Sequence, residues 1–435
     1  MQIICRIAAE NYFSYIYRLM KIFTLSALSG LTLTLFLSSC GKHNGVPPIV
    51  DPPQLATINI NLATTPLAAG SFEVIISESG GKVLLDTIGP VNNSLVAALH
   101  TNQKLLDYTL IAYNSTASQY TIITYKAVDL SNWTLLRQAD YAAPIPLPSS
   151  SRQASILYTH APLNQGSAYL NDYVWSGGFS QISAPPDSYG FTYTQNGTNN
   201  YLYLLFWGSG LYNFHIPKGL TDTVDLSHMD TAVTINFKVP TGYTVTNSFL
   251  TGIMDTTDFG KSLLLYNYNN ILYPGQPDME YPRKLVQKYE PAVYADNGAG
   301  GNNFAYYSYG DSIPATLPVP NLSEAYTISS SKNTDFSVKF GSANPSYYSS
   351  YWKGTAINWT LNSPPDSVTL NPVGLLTSLN SKLLKGQNLS GLAASGFQYE
   401  SAQGFKYQDF FSYVHNADML KTRRVPVSIS FGQTF

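Results

Sequence analysis

Charged residues are scarce in this sequence, where they make up 11% of the chain, and the 24 basic residues nearly balance the 26 acidic ones. Lysine and arginine form no long clusters. A chain without such clusters lacks the electrostatic footprint that nucleic acid or anionic lipid headgroups would need. We therefore predict that nucleic acid is not a partner.

Cysteine is almost absent as well, since Cys5 and Cys40 are the only two. Cys40 closes a short apolar segment that begins at Ile22, directly after the positive charge of Lys21. A run of about 16 residues diluted by Ser, Thr and Gly is short for a bilayer span, and it has the length typical of the apolar part of a secretory signal peptide. The sequence therefore predicts a signal peptide rather than a transmembrane helix.

The end of this segment, Leu37-Ser38-Ser39-Cys40, resembles the lipobox of bacterial lipoproteins of the Bacteroidetes type. The resemblance implies that Cys40 becomes the first residue of the mature chain and carries the acyl chains that hold the protein on a membrane. Residues 1–39 are then an over-extended start, 1–19, and a signal peptide. The mature chain would have no free thiol, which excludes disulfides, thiol catalysis and cysteine-ligated metal.

The same resemblance implies a cellular location, namely the outer membrane, to which a lipid anchor would attach the protein. Lipoproteins of this type often carry an acidic export signal just after the cysteine. Here Gly41, Lys42, His43 and Asn44 occupy those positions. The membrane face therefore stays open between the periplasmic and the extracellular side.

Most of the chain after the signal peptide has the sequence patterns of β-strands. After a proline-containing tether, 40–54, strand patterns with period two follow one another over 55–137 without a helical pattern between them. This spacing predicts an immunoglobulin-like sandwich of about seven strands. A linker rich in Pro and Ser, 138–151, separates it from residues 152–435, which predict a larger β-rich domain of unknown family.

Two local signals add detail to the larger domain. The turn Asn196-Gly197 between two strand patterns predicts a β-hairpin. Asn371, Pro372 and Gly386 bracket leucines at helical spacing, which predicts one short helix. With 33 tyrosines and few charges, the fold class is predicted to be all-β and mainly antiparallel.

The densest polar cluster consists of Asp222, Asp225, His228 and Asp230. Asp and His can ligate a divalent cation, but the spacing matches no known loop, and Asp beside Ser or Thr commonly forms turns. We therefore predict no metal site and no cofactor.

Motifs for catalysis are missing too, since neither a nucleophile elbow nor a zinc-protease helix motif occurs. Glu280, Glu290 and Glu400 could supply the carboxylate pair of a glycosidase only if two of them lie close together. No residue is therefore assigned as catalytic, and a glycan hydrolase is kept as an alternative.

Aromatic side chains are the better indication of a binding site. Flat rings with a polar tip can stack on sugar rings or on protein side chains. The alternative is that half of them are core, because alternation points every second residue inward. The predicted ligand-binding residues are Tyr201, Tyr203, Trp207, Tyr351 and Trp352.

The lipoprotein resemblance also implies a modification. Secreted proteins of Bacteroidetes-type bacteria are O-glycosylated where Asp is followed by Ser or Thr and then by a small or aliphatic residue. The positions that fit this triplet are Thr87, Thr223, Thr231, Thr256, Ser312 and Ser367.

Together these features predict a lipid-anchored protein of the cell envelope that binds a glycan or a protein partner without catalysis. Its contact with the membrane would be through the lipid on Cys40 alone. Two alternatives remain open, which are a glycan-acting hydrolase and a structural or assembly subunit of an outer-membrane complex.

Overall fold

The structure is a computed structural model that describes the chain in segments. The described residues are 54–61, 72–89, 94–115, 117–130, 133–136, 152–162, 168–171, 176–178, 187–195, 201–206, 208–239, 241–257, 262–269, 278–298, 301–315, 317, 325–366, 369–415 and 425–435. Residues 1–39, Cys40 and the predicted linker lie outside them.

Strands dominate the described residues. In the first part these are β1 (Gln54–Asn61), β2 (Phe72–Ser77), β3 (Val83–Gly89), β4 (Ser94–Leu99), β5 (Leu106–Asn114), β6 (Gln119–Val128) and β7 (Trp133–Leu136). Next come β8 (Arg152–Thr159), β9 (Ala168–Asn171), β10 (Ser176–Gly178), β11 (Tyr189–Gln195), β12 (Leu202–Phe206), β13 (Leu211–His215), β14 (Thr221–Asp225), β15 (Asp230–Thr231) and β16 (Val233–Asn236).

The remaining strands are β17 (Thr244–Ile253), β18 (Ser262–Asn269), β19 (Asp278–Tyr281), β20 (Lys288–Asp296), β21 (Asn302–Ser308), β22 (Tyr326–Lys332), β23 (Asp335–Phe340), β24 (Tyr347–Lys353), β25 (Ile357–Ser363), β26 (Thr369–Leu370), β27 (Ala393–Ala402) and β28 (Val427–Thr434). Two α-helices accompany them, α1 (Pro372–Ser378) and α2 (Tyr407–His415), with a short 3-10 helix at Leu389–Gly391. The prediction of an all-β fold is confirmed.

Twelve strands form one sheet in the order β18-β17-β20-β21-β28-β27-β24-β25-β6-β5-β2-β3. Neighbours in this sheet run antiparallel, except β6 and β25, which pair in parallel. Smaller sheets have the orders β4-β1-β7, β10-β9-β12-β13-β15, β11-β8-β14, β16-β19 and β22-β23-β26.

The first seven strands make two packed layers. β4, β1 and β7 form one sheet, and β3, β2, β5 and β6 form one end of the twelve-stranded sheet. Leu99 of the small sheet lies in the same buried cluster as Phe72, Val74 and Ile76 of the large one. The immunoglobulin-like arrangement of this region stays a prediction.

Strands from both sides of the predicted linker share the large sheet, because β6 pairs with β25 over Tyr120–Tyr125 and Ile357–Asn362. The two predicted units are thus joined by backbone hydrogen bonds. The linker itself is outside the described part of the chain, so the division into domains stays a prediction.

The two faces of the large sheet differ in character. Alternate residues of the central strands, such as Trp352, Trp359 and Phe397, point into the main hydrophobic core. Their neighbours in sequence point to the opposite face, which is polar over its central strands. α2 covers one end of that face, where Tyr347 stacks on Phe410 with ring centroids 5.1 Å apart.

The predicted helix begins where the sequence indicated. The side chain of Asn371 accepts a hydrogen bond from the backbone N of Gly374 at 2.8 Å, and Pro372 occupies the first turn. The helix ends early, at Ser378, rather than near Gly386. Among the described residues no helix combines the length and apolar character needed to cross a membrane.

A second helix, α2, was not predicted. Phe405 and Tyr407 fit a strand alternation in the sequence, but Tyr407, Phe410 and Phe411 pack together on one side of α2. Residues three and four positions apart lie on the same face of a helix, which explains this spacing.

Candidate functional site

Two of the predicted platform residues lie in the core. Tyr203 is 0% exposed and Trp352 is 1% exposed. Tyr203 packs against Phe214 with ring centroids 5.0 Å apart, and the indole N–H of Trp352 donates to the Ser350 hydroxyl at 2.9 Å. The prediction that these two rings face a ligand is corrected, because neither has surface to offer.

Of the other three predicted aromatic residues, two are half-buried and one lies outside the described residues. Tyr201 is half-buried and packs edge-on against Phe214, with centroids 6.1 Å apart. Tyr351 is half-buried on the polar side of β24. Trp207 lies outside the described residues. A ligand-binding role for Tyr201, Trp207 and Tyr351 stays a prediction.

Tyr351 belongs to a polar surface on the central strands of the large sheet. The register places Tyr347 opposite Glu400, and Ser349 opposite both Gln398 and Asn362. Strand alternation puts Tyr351 on the same side. We call this surface the polar face, and it comprises Tyr294, Ser349, Tyr351, Thr360, Asn362, Gln398, Glu400, Ser428 and Ser430.

Hydrogen bonds across strands order these side chains. The Tyr351 hydroxyl donates to the Gln398 Oε1 at 3.1 Å. The Ser349 hydroxyl donates to the Asn362 Oδ1 at 2.7 Å. Each bond joins two adjacent strands, so it fixes the positions of the polar groups that it connects.

Glu400 is the charged centre of the polar face. Its side chain is only 3% exposed. The Tyr347 hydroxyl donates to Oε2 at 2.8 Å, and the Ser428 hydroxyl donates to Oε1 at 2.6 Å. A buried carboxylate needs such donors to replace lost water.

The neighbouring phenols are affected by burial and by this charge. Burial raises the pKa of Tyr351 to about 12, the charge of Glu400 adds to the rise, and a hydrogen bond with Ser349 opposes it. Burial also raises the pKa of Tyr294, again with a contribution from Glu400. Both hydroxyls therefore stay protonated at neutral pH and can donate.

The polar face opens along the strands. Near α2, Ser349, Asn362 and Glu400 are buried. One step further along the strands, Tyr351 and Gln398 are half-buried, as are Thr360 and Asn358 on β25. The outer row is therefore partly accessible to solvent, whereas the inner row is not.

The three glutamates of the glycosidase alternative are spread over the molecule. Glu290 accepts from the Tyr307 hydroxyl at 2.8 Å and lies on β20, three strands from Glu400 on β27. Strands about 4.8 Å apart put the two Cα atoms about 14 Å from each other. The two carboxyl groups accept from different hydroxyls, Tyr307 for Glu290, and Tyr347 and Ser428 for Glu400. The glycosidase alternative stays a prediction. Glu280 lies in the separate sheet of β16 and β19.

Glu280 has its own environment. Its Oε2 accepts from the backbone N of Gly208 at 3.2 Å. Burial raises the pKa of this carboxyl, the Gly208 N–H opposes the rise, and the charge of Asp278 adds to it. A single carboxyl with a raised pKa does not make an acid–base pair.

The Asp and His cluster of the sequence separates into individual pairs. Asp222 contacts the His215 Nε2 at 2.8 Å, Asp225 contacts the His160 Nδ1 at 3.0 Å, and Asp230 pairs with Lys284. Burial raises the pKa of the Asp222 carboxyl. Hydrogen bonds from the backbone N–H of Lys218, from His215 and from the backbone N–H of Thr223 together lower this pKa by more than burial raises it, so the net shift is downward. Over the described residues, no group of three or more His, Cys, Asp or Glu could hold a metal ion.

A shallow groove of about 590 Å³ lies over β11, β8 and β14. Its lining is rich in hydroxyl groups, but its aromatic residue, Phe191, is buried. It offers no ring on which a sugar could stack. The lining residues are Ser155, Ile156, Leu157, Gly190, Phe191, Thr192, Thr221, Asp222 and Thr223.

The triplets predicted to carry O-glycans are mostly accessible. Thr87 is half-buried, and Ser367 lies outside the described residues. The exposed ones are Thr223, Thr231, Thr256 and Ser312. Their modification stays a prediction.

The supporting residues of the polar face were not predicted. The signal was present in β27, where Gln398 and Glu400 alternate with the apolar Phe397 and Tyr399, but nothing local shows that β24 lies alongside. Neither a protein-family model nor a curated protein matches the chain, so the site is argued from its own geometry.

Proposed function

We propose that the protein is a lipid-anchored protein of the outer membrane that binds a glycan on the polar face without catalysis. The observation that carries the proposal is Tyr351, a half-buried ring bordered by an amide and by hydroxyl groups. Sugar recognition combines an apolar ring face with a few fixed polar groups.

The arrangement of donors and acceptors supports this choice. Gln398, Asn358 and Thr360 of the outer row can each both donate and accept hydrogen bonds, as sugar hydroxyls do. The bond between Tyr351 and Gln398 holds these two side chains in place, so binding would order few side chains and lose little entropy. Glu290 and Glu400 lie on strands three positions apart in the sheet and accept from different hydroxyl groups, so we propose binding rather than hydrolysis.

We expect Tyr351→Ala to reduce glycan binding at least tenfold, because it removes the stacking surface and the donor to Gln398. The measurement is retention of the detergent-purified full-length protein on an oligosaccharide array, followed by titration of the best probe. Tyr113→Ala is the matched control, since Tyr113 is half-buried at the rim of the opposite side of the same sheet, against Tyr120.

Thermal unfolding of both variants shows that a loss of binding is not a loss of fold. If wild-type protein is retained by no glycan, or if Tyr351→Ala binds as well as Tyr113→Ala, the proposed site is wrong. Capture of a specific envelope protein by the same face, in place of a glycan, would favour the protein-partner alternative.

The anchor and the modifications are tested by mass spectrometry of the protein from its native membrane, intact for the anchor and after proteolytic digestion for the modifications. We expect a chain that starts at Cys40 and carries acyl groups, because the residues before it resemble a lipobox. We also expect hexose-containing mass on peptides with the exposed Thr223 or Thr256. A chain that starts upstream of Cys40, or one without lipid, would contradict the anchor, and unmodified peptides would contradict the glycosylation.

A further inference from the structure

The polar face carries an excess of negative charge. On the strands that form it, the charged side chains on this side are Lys288, Glu290, Asp296, Lys353 and Glu400 within the described residues. Lys353 is exposed at the far end of β24, and Lys288, at the start of β20, pairs with Asp311, whereas Glu290 and Glu400 are buried among the polar groups. Water therefore screens the charge of Lys353 and Asp311 offsets the charge of Lys288, while the two buried acids are screened less.

Glu400 is the acid nearest to the proposed ligand surface. It follows the outer-row Gln398 by two residues on its own strand, and Tyr347, one of its two hydrogen-bond donors, precedes Tyr351 by four residues. Its charge reaches Tyr351 and Tyr294, since it contributes to the raised pKa of both phenols after burial. A ligand group bonded to these hydroxyls would feel the same charge.

We infer that the polar face selects uncharged sugars and that Glu400 is the residue that excludes acidic ones. The inference rests on the proposed function and adds the class of ligand. The carboxylate of Glu400 and a carboxylate of an acidic sugar beside it would repel each other, because both are negative and the surface is partly buried. This repulsion should weaken the binding of the acidic sugar about tenfold. Neutral hydroxyl groups meet no such repulsion.

Glu400→Gln tests the role of the charge alone. The variant keeps the size of the side chain, and the hydroxyls of Tyr347 and Ser428 can turn to donate or accept as the amide requires. Glu280→Gln is the matched control, because Glu280 lies in the separate sheet of β16 and β19. The probes are two pairs of equal linkage and length, namely β-1,4-mannan with β-1,4-mannuronate oligosaccharides, and fully methyl-esterified with free α-1,4-galacturonate oligosaccharides.

We expect the full-length wild-type protein to bind the neutral member of a pair about tenfold more tightly than the acidic member. Glu400→Gln should reduce that ratio at least fivefold, by gaining affinity for the acidic member, while Glu280→Gln leaves it unchanged. Thermal unfolding of each variant controls for the fold.

Equal affinity for both members of a pair would overturn this inference and leave glycan binding in place. An unchanged ratio in Glu400→Gln would overturn the role of Glu400. Absence of any binding, on these pairs and on the wider array, would overturn the proposed function and this inference with it.

Discussion

Replacing Glu73 by alanine should lower the free energy of unfolding by about 3 to 5 kcal/mol, because it removes the acceptor of one buried hydroxyl and of two part-buried backbone N–H groups. Glu73 is 0% exposed on β2, near the edge of the large sheet. Its carboxylate accepts from the Ser381 hydroxyl at 2.5 Å, from the backbone N of Lys382 at 2.7 Å and from the backbone N of Leu383 at 3.1 Å.

These bonds join parts of the chain that are about 310 residues apart in sequence. The turn after α1 has no other backbone acceptor for the N–H groups of Lys382 and Leu383 among the hydrogen bonds of the described residues. A buried donor without an acceptor costs about 1 to 3 kcal/mol, which applies in full to the Ser381 hydroxyl and in part to the two part-buried N–H groups. Glu73→Gln keeps one acceptor oxygen and should cost less.

Lys382→Ala is the control for this prediction. The Lys382 ammonium contacts Asp86 at 2.9 Å, but the lysine side chain is largely exposed, so its loss should cost less than about 1 kcal/mol. The measurement is urea unfolding followed by far-ultraviolet circular dichroism. If Glu73→Ala is no less stable than Lys382→Ala, the turn is held by something other than the carboxylate.

The large number of strands could be predicted from the sequence because each strand is a local pattern. Period-two alternation and turn residues mark where strands lie, and the described chain has strands where most of these patterns occur, although Phe405 and Tyr407 lie at a helix instead. The pairing of strands is a different matter. The turn Asn196-Gly197 predicted that the strands on its two sides pair with each other, and this prediction is wrong.

The reason is that pairing is decided by contacts far apart in sequence. β11 pairs with β8, with Tyr189 opposite Tyr158, while β12 pairs with β9 and β13 in another sheet. A turn signal describes only a few residues and cannot show which partner offers the better buried surface. The same limit applies to the parallel pairing of β6 with β25.

The early end of α1 also depends on tertiary contacts. The leucine spacing continued toward Gly386, but Asn380 adopts a positive φ of 48° and the chain turns so that Ser381 reaches Glu73. Asn tolerates this left-handed conformation better than most residues. The sequence contains Asn380 but does not show that the turn after it forms hydrogen bonds with the buried carboxylate of Glu73.

The site illustrates the same limit at the scale of two residues. Tyr351 and Trp352 are adjacent, and alternation requires that they face opposite sides of β24. Which side is core depends on what the rest of the chain places there. Phe336 and Trp359 cover the Trp352 side, whereas the Tyr351 side meets polar residues of β25 and β27.

Trp359→Ala should lower the free energy of unfolding by about 3 to 5 kcal/mol, the usual range for a buried tryptophan. Trp359 is 1% exposed on β25, at the parallel junction with β6. Its indole N–H donates to the Thr124 hydroxyl at 3.0 Å, and that hydroxyl also bonds with Thr109 on β5 at 3.0 Å. The substitution thus opens a cavity and breaks a buried link between the early and the late strands.

Trp359→Phe separates the two effects, because it retains most of the ring volume but leaves Thr124 without the indole donor, at a cost of about 1 to 2 kcal/mol. Phe435→Ala is the control, since this ring is exposed at the end of the described chain. Because β6 and β25 share hydrogen bonds, we expect one unfolding transition that moves as a whole in urea. A Trp359→Ala variant as stable as Phe435→Ala, or a shift confined to one of two separate transitions, would mean that the junction does not couple the two parts of the sheet.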